Sequence, residues 1–437
     1  MAKFGAARDR DIDRREAAMS RFAAGYGERT ITPPLGVDLA GYGFYLDRKA
    51  ESILDDLKCR AVYLADGASA LLLASCDLIG FTVADADAIR SRIAAELGLP
   101  RPAVLLAATH THCGPATQPM PGLGKIDPAY LDRLRGLILE AAAEAVAAPR
   151  PAEFSCALEA IEPLGYNRRK RDFSGIDPVL KAAIFKTPDR KLYLLSYACH
   201  AVVFGRRSHV SADWPGAVVR EIERTGHRAV FFQGFCGDVD PVIQMNRWGE
   251  GTADDLLDIA DLVRRRLARA ERYAVLRPEP RLAATEIRID IPLTVYDKRT
   301  IEREAASFEK TYSQFPGAAR FARDWRRRAL AAAPALRKSP AVRGVPVQAL
   351  SVGGLKLVAL PGEFFSEIGL KLQKTDAPLI PVGYANGNIG YVPTDKDFRD
   401  TADYACYCAP MFYGLFPFEA GVERTFLKAA RKALRSV

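Results

Sequence analysis

Five short apolar runs in this chain each end in a residue able to bind a metal ion or move a proton. V-L-L-A-A (104–108) leads into Thr109-His110-Thr111-His112, and L-Y-L-L-S-Y (192–197) leads into Cys199-His200. A-V-F-F (229–232) opens the loop Q-G-F-C-G-D-V-D-P (233–241). L-K-L-V-A-L (355–360) precedes Pro361-Gly362-Glu363, and P-L-I-P-V (378–382) precedes Asn386-Gly387-Asn388-Ile389-Gly390-Tyr391. Short apolar runs bounded by such punctuation read as buried strands. In sheet-based folds, ligands bind in crevices where the loops after strands converge. The pattern therefore predicts a sheet core with a functional site at its strand ends.

Between these runs lie segments with helical spacing. Ile89, Ile93 and Leu97 form one apolar stripe, stopped by Gly98 and Pro100. Asp127-Pro128 caps a second helix carrying Leu131, Leu134 and Ile138, and Asp213-Trp214-Pro215 starts a third that ends near Gly226. The alternation predicts an α/β (mixed α+β) architecture, a β-sheet core flanked by helices. Residues 300 to 338 read as a helical excursion broken at Pro316 and Pro334, and no internal repeat is visible. The charged first 23 residues read as a polar arm, leaving residues 24 to 437 as one large domain or two merged ones.

Bulk properties exclude several classes. Hydrophobic content of 49% and charged content of 26% describe an ordinary globular protein. No apolar run reaches the roughly 18 residues that span a bilayer, so no stable membrane association is expected. The N-terminal stretch has no apolar core of a secretion signal, which makes a cytoplasmic location the expectation. Eight cysteines without C-x-x-C spacing read as free thiols rather than a structural zinc finger. The net charge of +9 comes from Arg168-Arg169-Lys170-Arg171, Arg264-Arg265-Arg266 and the segment 323–338. No aromatic residues interleave these runs at a recognisable spacing, so nucleic acid is not expected as a partner; an anionic small-molecule substrate suits the charge. Whether copies of the chain form a homo-oligomer is left open.

Three of the five histidines fall at the predicted strand ends. His110 and His112, spaced i, i+2, point to one face of an extended segment. Joined by His200 and Glu363 they make a set of nitrogen and oxygen donors suited to a catalytic zinc with an open position. The bland readings are satisfied core histidines and a first-turn acid that complements a helix dipole.

The ordered motifs carry a resemblance. T-H-T-H-C-G-P (109–115), Asn167-Arg168, S-A-D-W-P-G (211–216), G-D-V-D-P (237–241), L-P-G-E-F (360–364) and N-x-x-x-x-Y-x-x-T (386–394) resemble the catalytic domain of the neutral, non-lysosomal ceramidase family, in that family's order. I-T-P-P-L-G (31–36) and A-G-Y (40–42) fit its opening, and the resemblance covers roughly residues 24 to 436. It implies a ceramidase-like hydrolase domain, one Zn²⁺ per chain held by His110, His200, Glu363 and Tyr391, and His112 and Arg168 beside the metal. Mn²⁺, Fe²⁺ or Co²⁺ would also suit such donors.

The departures redirect the expected chemistry. The family's catalytic loop reads G-D-V-S-P, with serine as an essential residue, and this chain has Asp240 there. The chain ends soon after the last motif, so the family's C-terminal immunoglobulin-like domain is expected to be absent. Zinc lowers the pKa of its water to about 7, which removes the need for a side-chain nucleophile. The expectation is a zinc-dependent hydrolase using metal-bound water with Asp240 as general base. It would cleave an amide, cyclic amide or ester bond of a small polar or anionic substrate. His112 would serve the leaving group or the oxyanion, and Arg168 would bind a substrate carboxylate or developing negative charge. Asp240 as direct nucleophile, as metal ligand or as anchor for a cationic group stays open. His209, near the Asp213 cap, supports its loop or contacts substrate, and Arg247 is a candidate anion contact. The alternatives are a ceramidase-like N-acyl lipid amidase and a non-catalytic metal- or metabolite-binding protein.

Overall fold

A computed structural model describes residues 22 to 437 of the chain. Its architecture is the expected mixture of sheets and flanking helices, built from a unit that occurs three times. Each unit is a three-stranded antiparallel run, then a helix, then a strand parallel to the third. The first comprises Ala23–Thr30, Lys58–Ala65 and Ala70–Cys76, the helix Val83–Leu97, and Val104–Ala108. The second comprises Glu153–Ala160, Val179–Lys186 and Lys191–Tyr197, the helix Asp213–Glu223, and Arg228–Gln233. The third comprises Leu282–Pro292, Ala341–Val352 and Leu355–Ala359, the helix Ser366–Gln373, and Leu379–Val382. The units share topology, and no repeat in the sequence marks them.

The three sheets meet face to face. Leu105, Ala107, Leu194, Val230, Phe232, Leu357 and Val382 belong to one central cluster drawn from all three. Alternate residues of the first and second units' strands, Val104, Leu106, Leu195 and Phe231, pack outward in a cluster that includes helical residues such as Ile89 and Ile93. Strands covered on both faces need apolar residues at nearly every position, which is why the five runs are continuous rather than alternating. Polar contacts join the sheets at the strand ends. Ser75 Oγ donates to Phe231 O at 2.6 Å, and Gln233 Nε2 donates to Thr109 O at 3.1 Å. Asn386 Nδ2 donates to Gln348 Oε1 at 2.8 Å, and its Oδ1 accepts the Leu106 N–H at 3.1 Å.

The expected excursion is a pair of helices, Lys298–Thr311 and Ala318–Lys338, inserted between the first two strands of the third unit. Pro316 lies in the turn between them. Pro334 does not break the second helix, a departure from expectation: it sits one turn from the end, and Ala329 and Ala333 stay buried in the surrounding aromatic cluster. Of the expected N-terminal arm, residues 1 to 21 lie outside the described residues; Phe22 is buried and Ala23 opens the first strand. No described helix is long and apolar enough to cross a membrane. The cysteines are free, and all but Cys408 are buried.

The loops beyond the strand ends touch backbone to backbone. A Cβ at Gly237 would come within 2.3 Å of Glu363 O, and the Gly237 N–H donates to Phe364 O at 2.8 Å. Gly237→Ala must force these loops apart, and an over-packing penalty of about 1–3 kcal/mol is expected. Gly136 lies inside the helix Pro128–Ala147 with nothing within 4 Å of its added Cβ. Gly136→Ala should instead stabilise by about 0.5–1 kcal/mol. Urea unfolding of the two variants reads both signs; equal effects would show that the approach at Gly237 is not tight.

Candidate functional site

The loop after Val104–Ala108 turns back at His110, whose φ of +62° is left-handed. Such a conformation costs a non-glycine residue about 1–3 kcal/mol and persists only where the surroundings impose it. His110 and His112 thus converge through this turn and not, as expected, through strand alternation. Their Nε2 atoms lie 3.2 Å apart. His200, beyond the strand Lys191–Tyr197, closes the group: the ligand-capable atoms of His110, His112 and His200 all lie within 4.8 Å of one another. Glu363, on the short strand Glu363–Phe364, places Oε2 at 3.2 Å from His200 Nε2 and 3.3 Å from His110 Nε2.

Hydrogen bonds behind the rings set their tautomers. His110 Nδ1 donates to Ile79 O at 2.6 Å, and His200 Nδ1 donates to Val239 O at 3.2 Å. A carbonyl only accepts, so each neutral ring turns an Nε2 lone pair toward Glu363. Two lone pairs and a carboxylate oxygen at this separation repel unless a cation or a proton lies among them. Carbonyl bonds on the far ring nitrogen are also the support that metal-ligating histidines have. These donors fit a divalent metal such as zinc. His112 differs, because the Tyr42 N–H approaches its Nδ1 at 3.4 Å. That leaves the hydrogen of the neutral ring on Nε2, facing the group.

Burial, with His110 and His200 adjacent, pulls His112 well below the usual imidazole range. Burial also lowers His110, against the pull of Glu363. Burial disfavours the Glu363 carboxylate, yet His110 and His200 hold its pKa well below the ordinary range. For His200, burial favours the neutral ring, but Cys236 and Glu363 outweigh it and push the imidazole up to about 10.

Each group is braced from outside. Asp213, itself at φ +55°, accepts the N–H groups of Val203 and Phe204 at 2.9 Å, while Trp214 Nε1 donates to His200 O at 2.9 Å. The S-A-D-W-P-G segment therefore fixes the loop that carries His200. Asp238 accepts the Ser366 N–H at 2.8 Å and Asn167 Nδ2 at 3.1 Å, tying its loop to that of Glu363. Asp77 accepts from Arg60 Nη1 at 3.1 Å and Thr109 Oγ1 at 3.3 Å, holding the residue before His110. Three tyrosines complete the setting without having been singled out for it. Tyr384 stacks on His110 with ring centroids 3.9 Å apart, Tyr413 Oη donates to Glu363 Oε1, and Tyr42 meets the edge of His112. Only the A-G-Y segment around Tyr42 carried a sequence signal; Tyr384 and Tyr413 sit in loops whose turns sequence spacing does not reveal.

The site forms the floor of a cavity of about 540 Å³. His110, His112, Glu363, Tyr391, Arg168 and Asp240 all line it. Asp240 is buried on the strand Val239–Pro241, with Oδ1 at 3.2 Å from Arg168 Nη1 and 3.8 Å from His200 Nδ1. Arg168 also donates to Gly237 O at 2.9 Å and to Tyr391 Oη at 2.8 Å. Tyr391 pairs in register with Glu363 on parallel strands, which sends both side chains to one face. The geometry does not bring His209 or Arg247 to the cavity wall. His209 Nδ1 bonds Ser52 Oγ beside a short strand pair, and Arg247 Nη2 reaches Asp255 at 2.8 Å on the exposed side.

No protein-family model and no curated protein sequence matches the chain. Solved structures do. The neutral ceramidase from Pseudomonas aeruginosa matches with a TM-score of 0.71 and 16% identity, over 95% of this chain and 75% of that one. A ceramidase complexed with C2 matches with a TM-score of 0.73 at the same identity and coverage. With its three units arranged around a histidine-rich floor, the chain has the fold of the neutral ceramidases.

Proposed function

We propose that the protein is a zinc-dependent hydrolase of amide, cyclic amide or ester bonds. The observation that carries this reading is the convergence of His110 Nε2 and His200 Nε2 on the Glu363 carboxylate, with His110 and Glu363 lining the cavity. In this reading His110, His200 and Glu363 hold one zinc per chain, with Tyr391, the in-register neighbour of Glu363, as the fourth ligand. Bound there, zinc supplies an activated water and polarises a carbonyl. The likeness of fold to ceramidases, whose name denotes amide cleavage, supports the choice of an amide among the bonds.

The chain's own groups divide the remaining work. Asp240, buried and lining the cavity, serves as general base for the attacking water. Arg168 holds the Asp240 carboxylate and the Tyr391 hydroxyl in place, and its charge favours negative charge that develops nearby. His112 presents an N–H toward the reacting centre and acts as donor to the oxyanion or leaving group. A lipid amidase working through serine is the less supported reading, since position 240 offers a carboxylate instead of a hydroxyl.

Purified protein should carry about one zinc per chain, and His200→Ala or Glu363→Gln should lose most of it. Full metal in both variants overturns the ligand set. Since His200 is pushed up to about 10, it holds a proton at pH 7, and metal binding at Nε2 displaces that proton. Zinc titration of metal-free protein in weak buffer at pH 7 should release at least about one proton per ion, with the share from His200 shrinking as pH passes about 10. Asp240→Asn keeps size but loses the base. With zinc retained, its kcat on the best substrate of an amide, lactam and ester panel should fall about 10²–10⁴-fold; an unchanged kcat removes Asp240 from the base role.

A further inference from the structure

The cavity has two chemically distinct walls. Phe44, Tyr312, Phe315 and Phe412 supply an aromatic face from the 40s loop, the turn between the inserted helices and the short helix Ala409–Phe412. Three arginines, Arg168, Arg171 and Arg206, also line it. Arg168 is fully engaged by Asp240, Gly237 O and Tyr391, and the neighbouring Arg169 pairs with Asp397 and Asp403. Arg171 and Arg206 differ. Among the described residues neither has a carboxylate within salt-bridge reach, although both are exposed at the open end of the cavity. The acids of the lining, Asp240 and Glu363, are buried and committed at the floor.

Both arginines are nevertheless held. The Arg206 guanidinium lies 4.8 Å over the Trp248 ring, and its stem packs on Gly249, where an added Cβ would come within 2.7 Å of Nε. The Arg206 N–H donates to Gly249 O at 3.0 Å, locking the two loops together. Arg171, at φ +57°, donates from Nη2 to Met245 O at 3.0 Å, so it reaches the same 245–249 segment. Two fixed guanidinium groups without carboxylate partners, beside an apolar wall, form a receptor for an anion attached to an apolar body.

We propose that Arg171 and Arg206 bind a carboxylate of the substrate at the cavity mouth, which makes the substrate an amphiphilic amide of the N-acyl amino acid class. The bond broken rests on the hydrolase reading above; the anion recognition does not. The probes are N-dodecanoyl-glutamate and its uncharged diamide, N-dodecanoyl-glutaminamide. Binding is read from the fluorescence of Trp248, the tryptophan exposed under Arg206, and cleavage is read separately from amine release. A charge-assisted pair is worth about 1.5–3 kcal/mol, so the acid should bind about tenfold to a hundredfold more tightly than the diamide. Arg171→Gln and Arg206→Gln should each bring the acid's affinity down toward that of the diamide. The preference should also shrink with added salt. Equal affinities for the two probes, or a preference that survives in the double variant, overturn the proposal. A preference without cleavage of either probe upholds the anion site and overturns the amide-hydrolase reading. Cleavage of both probes without a preference does the reverse.

Discussion

Two imidazole nitrogens and one carboxylate oxygen face each other at 3.2–3.3 Å in the centre of this molecule, and none of them can turn away. Carbonyls at Ile79 and Val239 hold the far side of each ring, and Tyr413 and Tyr384 hold the carboxylate. The resulting repulsion has to be relieved by a positive charge. The surrounding loops are shaped to sustain it: His110, Asp213, Tyr384 and Asn386 all accept left-handed backbone, and Gly237 lets one loop lie directly on another. Strain concentrated in this way marks a region where geometry has been given priority over local stability.

The triplicate topology explains how three distant segments reach one point. In each unit the third and fourth strands are parallel, so their C-terminal ends emerge on the same side. The first unit delivers His110 and His112, the second His200 and the Asp240 loop, and the third Glu363 and Tyr391. Packing of the strands belongs to the central apolar cluster, whereas the chemistry begins only past the strand ends. Asp240 likewise lies beyond those strand ends, on Val239–Pro241, and belongs to none of the apolar clusters.

Much of this was legible because of burial. A strand covered on both faces announces itself as an uninterrupted apolar run, and the helix starts at Asp127 and stops at Gly98 follow from capping chemistry. The grouping of His110, His200 and Glu363 was also visible, since all three directly follow such runs. What escaped was geometry that depends on distant partners. The residues flanking the left-handed turn at His110 bond to Gln233 and Ser211 of the second unit, and the stacking of Tyr384 on that ring depends on the third unit docking on the first. Pro334 was overvalued as a breaker because tertiary burial near a helix end outweighs one lost hydrogen bond. Residues His209 and Arg247 were named from proximity in sequence to motifs, and their side chains face elsewhere. The repeated unit was invisible because equal topology requires only equal burial patterns, not equal residues.

Distribution of the donors over three units has a consequence during synthesis of the chain. His200 and Glu363 are separated by 163 residues, with the inserted helical pair lying between them. A nascent chain that has folded two units possesses most of its secondary structure but holds an incomplete set of donors. The complete donor set would thus arrive abruptly with the last unit, and a truncated or stalled product lacks it.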